Sequence, residues 1–100
     1  MKYVYPCVLE LDEGVGYSVY FPDISGAITS GVNLYEAVYM AEDALTGTLM
    51  SMEDSGRIIP PPTSLENLKL ENKEFYALIK ADTDAYRKQL ARSEKVEGAA

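Results

Sequence analysis

The side chains able to do chemistry are few in kind: sixteen Asp and Glu, nine Lys and Arg, one cysteine, and hydroxyls that include eight tyrosines. Histidine and tryptophan are absent. Catalysis needs a group that holds a proton, a metal or a nucleophile in defined geometry. Without histidine, the usual zinc ligand sets are missing, and so is the imidazole base that activates a thiol or hydroxyl. Cys7 lies in an apolar run with Tyr5 and Leu9 on its side, and reads as a small buried hydrophobe rather than a nucleophile. A single cysteine also excludes an intrachain disulfide framework and points to a cytoplasmic protein.

The neighbouring acids Asp12/Glu13 and Glu42/Asp43, and the pair Asp82 and Asp84, have the oxygens a hard cation wants. Such a cation needs several more converging oxygens, so solvated charge and helix capping account for these acids better. The run "GVG" at 14–16 lacks the following helix and the spacing of a phosphate cradle, and reads as a tight turn. No catalytic residue, no metal ligand and no cofactor is expected.

The charge pattern points instead to binding. Residues 1–56 hold nine acids against Lys2 alone, a balance of −8, while residues 57–100 hold seven acids and eight bases, +1, which together give the net −7. An acidic first half repels phosphate backbones, so direct nucleic-acid binding is not expected, and it attracts a basic protein. The sequence contains no uninterrupted apolar run of ~18 residues, so no membrane span is expected. A chain of 100 residues has a thin core that gains from a subunit interface, which makes a homodimer or higher homo-oligomer the expectation.

These groups must be positioned by an α+β arrangement. In "KYVYPCVLEL", residues 2–11, Tyr3, Tyr5, Cys7, Leu9 and Leu11 share one face and Val4 and Val8 the other, which predicts a central strand covered on both sides. The stretch "DEGVG" turns the chain into a second strand over 17–21, which Pro22 closes for want of an amide hydrogen. Asp23 suits the turn that follows, and "AITSG" at 27–31 predicts a short third strand packing through Ile28 and Ala27. The period then changes. Asn33 with Glu36 three residues later approximates a capping box, and Leu34, Ala37, Val38, Ala41, Ala44, Leu45, Leu49 and Met52 form the apolar stripe of a helix stopped at Gly56. Tyr35, Tyr39, Met40 and Met50 lie off that stripe among Glu42, Asp43 and Glu53, a composition suited to an interface. "IIPPPTS" predicts an extended spacer with a helical turn after Ser64, "FYALIKA" at 75–81 a fourth strand, and "DAYRKQLA" a short C-terminal helix capped by Asp82 or Thr83 ahead of a weakly structured ending.

The stretch from Tyr5 to Leu45 resembles the HicB antitoxin family. The resemblance rests on Tyr5, Pro6 and Val8 in a first strand and on Gly16, Tyr17, Val19, Phe21, Pro22, Asp23 and Gly26 in a strand and turn. Thr29 with Gly31, then Leu34, Glu36 and Ala37 in a helix, complete it. Ser25 and Ala27 stand where the family usually has Pro and Cys, and fit the same turn. The resemblance implies a βββαβ partial ribonuclease-H-like fold: an antiparallel meander with one main helix on the sheet, residues 1–90 forming the N-terminal domain and 91–100 a tail. Family members commonly continue into a DNA-binding unit, which is not expected within these 100 residues.

By the same resemblance the partner would be a HicA-like toxin, a small basic protein that cleaves mRNA and is masked by the antitoxin. The toxin-facing surface is expected on the outer side of the main helix and nearby acids, at Tyr39, Glu42, Asp43 and Asp23. The alternative is a stand-alone domain of the same family that binds a small ligand or acts as a weak metal-dependent hydrolase through clustered carboxylates.

Overall fold

The computed structural model describes the backbone of residues 1–99 and the side chains of residues 1–92. Strands β1 (Lys2–Asp12), β2 (Gly16–Tyr20), β3 (Ile28–Gly31) and β4 (Glu74–Asp82) form a four-stranded sheet in the order β3-β2-β1-β4. Every neighbouring pair is antiparallel. Helix α1 (Leu34–Ser55) covers one face, and α2 (Thr83–Ala99) follows β4 directly. This is the expected α+β order with β1 inside the sheet.

Register explains why a proline sits in an interior strand. β2 pairs with β1 only from Val8 onward, so at Pro6 the strand has an unpaired flank, where a residue without an amide hydrogen is tolerated. On the helix side Tyr5, Cys7, Leu9, Val19, Phe21 and Ile79 meet Ala37, Ala41, Leu45 and Leu49 in a core whose members are at most 4% exposed. The alanines let α1 approach the sheet closely.

Two glycines allow the closest contacts. A Cβ on Gly31 would lie 2.3 Å from the amide nitrogen of Ala37, and one on Gly16, where φ is +133°, would lie 2.3 Å from the Gly31 carbonyl oxygen. Strand β2, strand β3 and the first turn of α1 therefore touch backbone to backbone. Asn33 then caps α1 through the Glu36 amide at 2.8 Å, while the Glu36 carboxylate accepts from the Val32 amide at 3.0 Å, and Gly56 ends the helix with φ of +71°.

Three details differ from the sequence expectation. Ile28 is 72% exposed because its register partner Tyr20 lies on the face away from α1, and Ile24 from the preceding turn fills the core beside Ala27. The second face of β1 is only partly covered: Pro6 and Val8 are buried beside Leu78, Tyr20 and Tyr76, yet Val4 is 44% exposed. The last helix runs on to Ala99 instead of stopping near residue 91, so position 90 falls within a continuous helix. Between α1 and β4 the chain is extended as expected, broken by a short 3₁₀ turn at Leu65–Asn67, with Ile59 packed on the core and the Pro60 carbonyl accepting from the Tyr5 hydroxyl.

Candidate functional site

A groove of about 410 Å³ lies between α1 and α2, lined by Tyr39, Glu42, Asp43, Asp82, Tyr86 and Leu90 among others. Helical spacing puts Tyr39, Glu42 and Asp43 on the same side of α1, away from the buried positions 37, 41, 45 and 49. The groove holds three carboxylates and two tyrosines, and no lysine or arginine is among its described lining residues. Tyr39 is 63% exposed and Leu90 40% exposed, so the walls offer apolar area and negative charge together.

Its far wall depends on how α2 is held. The carboxylate of Asp82 caps α2 by accepting from the Ala85 amide at 3.0 Å, and that of Asp84 pairs with the N-terminal amine at 2.7 Å. Glu53 near the end of α1 accepts hydrogen bonds from the hydroxyls of Tyr3 (2.6 Å) and Thr83 (2.9 Å) and from the Arg87 guanidinium (3.1 Å). Arg87 also pairs with Asp54 at 2.8 Å. Burial alone would push Glu53 up, but the donors Tyr3, Arg87 and Thr83 and the N-terminal charge outweigh it and hold its carboxyl below the ordinary value. The Tyr3 phenol is pushed up to about 12, chiefly by burial and then by its bond to Glu53. Across the groove the Tyr86 hydroxyl reaches Asp43 at 3.5 Å, and burial, followed by that carboxylate, raises its pKa.

Of the four positions singled out from the sequence, the fold brings Tyr39, Glu42 and Asp43 together in this groove and places Asp23 elsewhere. Asp23 accepts hydrogen bonds from the Thr63 amide at 2.9 Å and from the Thr63 hydroxyl, tying the extended segment to the turn after β2. Its carboxylate is thereby committed within the fold. The opposite wall, Asp82, Tyr86 and Leu90, is not part of the surface expected from the sequence, in which Asp82 figures as a helix cap and, with Asp84, as a disfavoured cation ligand. Among the described residues no group of three or more Asp, Glu or Cys is close enough to hold a metal ion. The acids at 82 and 84 are engaged as cap and ion pair. No helix of the described chain is long and apolar enough to cross a membrane.

Comparison with known proteins adds a family. Residues 5–97 match the family described as "HicB_like antitoxin of bacterial toxin-antitoxin system". Antitoxin HicB 2 of Photorhabdus laumondii subsp. laumondii is 42% identical over 60 residues, which are 60% of this chain and 42% of that relative, so the match spans less than half of the relative's length. Among solved structures, a toxin–antitoxin complex from Streptococcus pneumoniae superposes with a TM-score of 0.77 at 23% identity, covering 86% of this chain and 73% of that one. The N-terminal domain of the Burkholderia pseudomallei antitoxin HicB superposes with a TM-score of 0.68 at 23% identity, covering 80% of this chain and 99% of that one. At these identities the structural likeness bears on the fold alone.

Proposed function

Because the chain belongs to the HicB-like antitoxin family of bacterial toxin–antitoxin systems, we propose that it masks a small basic, HicA-like RNA-cleaving toxin by seating it on the groove between α1 and α2. The observation that carries this reading is the groove's lining, in which Glu42, Asp43 and Asp82 sit between Tyr39, Tyr86 and Leu90 and no Lys or Arg is among the described lining residues. A toxin that grips RNA presents positive charge. Carboxylates can steer such a surface into place and occupy the sites its phosphates would take, while exposed tyrosines and leucine provide contact area. The protein performs no bond-making in this account, and acts in the cytoplasm where its toxin meets mRNA.

Co-expression with a small basic HicA-like chain tests the proposal. Wild-type protein copurifies with that chain, and the double variant E42K/D43K binds at least ~10-fold more weakly, as expected when rim charges are reversed toward a cationic partner. Equal retention of the toxin by wild type and variant would remove the groove from the interface. Failure to retain any basic partner would remove the function.

A further inference from the structure

The sheet has two edges of very different character. β3 is a four-residue edge whose last residue, Gly31, lies flush against α1. β4 is a nine-residue edge, pairs only with β1, and contains no proline. Among the described residues, none of positions 75–81 makes a backbone hydrogen bond outside that pairing. Natural edges are usually shortened, broken by proline, guarded by charge or covered; β4 is long and free of proline, and its charges at Glu74, Lys80 and Asp82 leave residues 75–79 uncharged between them. Its outward row of amides and carbonyls is a template for another strand.

The side chains on the open face of β4 identify that strand. Glu74, Tyr76, Leu78 and Lys80 alternate along the face away from α1, with Tyr76 43% and Leu78 54% exposed. Glu74 sits directly across from Glu10 of β1, a like-charge pair that costs stability, and one of its carboxylate oxygens accepts from the Glu71 amide at 2.8 Å, leaving the other to pair. Lys80 forms no ion pair among the described residues. Six residues apart in one strand, Glu74 and Lys80 are about 20 Å from one another and cannot meet within one chain. In a second copy laid antiparallel, with the twofold axis at Ala77, they do meet. Glu74 of each chain then faces Lys80 of the other, and Tyr76 faces Leu78. Moving the axis one residue, to Leu78, would set Glu74 against Asp82 and Tyr76 against Lys80, so charge selects the first register.

We propose that the β4 edge is a self-pairing surface through which two copies join their sheets into one of eight antiparallel strands, with the twofold axis at Ala77. This surface is separate from the groove between the helices, and the inference stands or falls independently of what binds there. It gives the expected self-association a location and a register.

Sedimentation equilibrium of the full chain tests it, with circular dichroism as the check on folding, since positions 74 and 80 lie at the surface of the sheet. Wild type shows a concentration-dependent monomer–dimer equilibrium. Each single variant, E74K and K80E, places like charges together twice per dimer and weakens dimerisation on the order of tenfold. E74K does so even though it lowers the net negative charge of the chain, which by itself would favour association. Mixing E74K with K80E restores opposite charges at both contacts and yields a heterodimer close to wild-type strength. Wild type that stays monomeric up to about 1 mM overturns the proposal, because an equilibrium that weak is worth no more than ~4 kcal/mol. Single variants that dimerise like wild type, or a mixture no stronger than its components, overturn the register and with it the charge argument.

Discussion

Glu53 is the point at which the wall of the groove can be loosened without touching its lining. In the variant E53A, the Tyr3 hydroxyl loses an acceptor at 2.6 Å and retains only the Met1 sulfur at 3.6 Å. The fully buried Thr83 hydroxyl loses an acceptor at 2.9 Å and retains the Met1 carbonyl at 3.3 Å. A hydrogen bond to a charged acceptor is worth about 1.5–3 kcal/mol. The remaining partners and the 19% exposure of the Glu53 side chain roughly halve the sum, giving about 1.5–3 kcal/mol for the two bonds together. For a domain of this size, that lowers Tm by about 10–20 °C. Urea unfolding followed by circular dichroism should show the midpoint fall by about 1–2 M with an unchanged slope.

The pH dependence gives a second reading of the same contact. Because the folded protein holds Glu53 below its ordinary value of 4.5, its contribution is present above that value and fades as pH falls through the lower folded value. The raised phenol of Tyr3 contributes below pH 10 and loses its share as pH climbs toward about 12. Both slopes should flatten in E53A. A variant within ~3 °C of wild type, with the acid slope intact, would refute the idea that this carboxylate fastens α2 to α1.

Other positions make sharper structural tests. Gly31→Ala forces a Cβ against the Ala37 backbone at 2.3 Å, and should cost about 3 kcal/mol by urea midpoint, because neither backbone can yield cheaply; an unchanged midpoint would contradict the packing. Cys7 is fully buried and its thiol is pushed up to about 11 by that burial, so Ellman's reagent should leave the native protein unmodified at pH 8 and react with one thiol in guanidinium. Rapid native reaction would place the thiol outside the core. Asp23→Ala should lose about 1–3 kcal/mol of stability through its bonds to Thr63, with toxin affinity little changed. The reverse pattern would return Asp23 to the interface.

Local rules made most of the fold legible. The change from two-residue alternation to a three- and four-residue rhythm located the boundary at Asn33, and the capping pair and Gly56 set both ends of α1. Strand assignment succeeded where both faces carry large side chains, as in β1 and β4. It misjudged Ile28, because which way an edge residue points depends on register with Tyr20, a long-range property that no local pattern encodes. The lining of the groove was half legible. Tyr39, Glu42 and Asp43 follow from helical spacing, but their facing wall of Asp82, Tyr86 and Leu90 lies about forty residues along the chain and is aligned by long-range contacts such as those of Glu53 with Thr83 and Arg87. Asp23 looked available because acids usually lie in solvent, and nothing local shows that Thr63 would cross to meet it.

The central claim is that this chain silences a basic toxin by covering it, and titration into a toxin-driven RNA-cleavage reaction measures that directly. Cleavage should fall to the uncatalysed level near one chain per toxin, while E42K/D43K, equally folded, should leave most of it running. Cleavage that persists in large excess of wild-type protein would contradict the function, and full protection by the charge-reversed variant would contradict the groove.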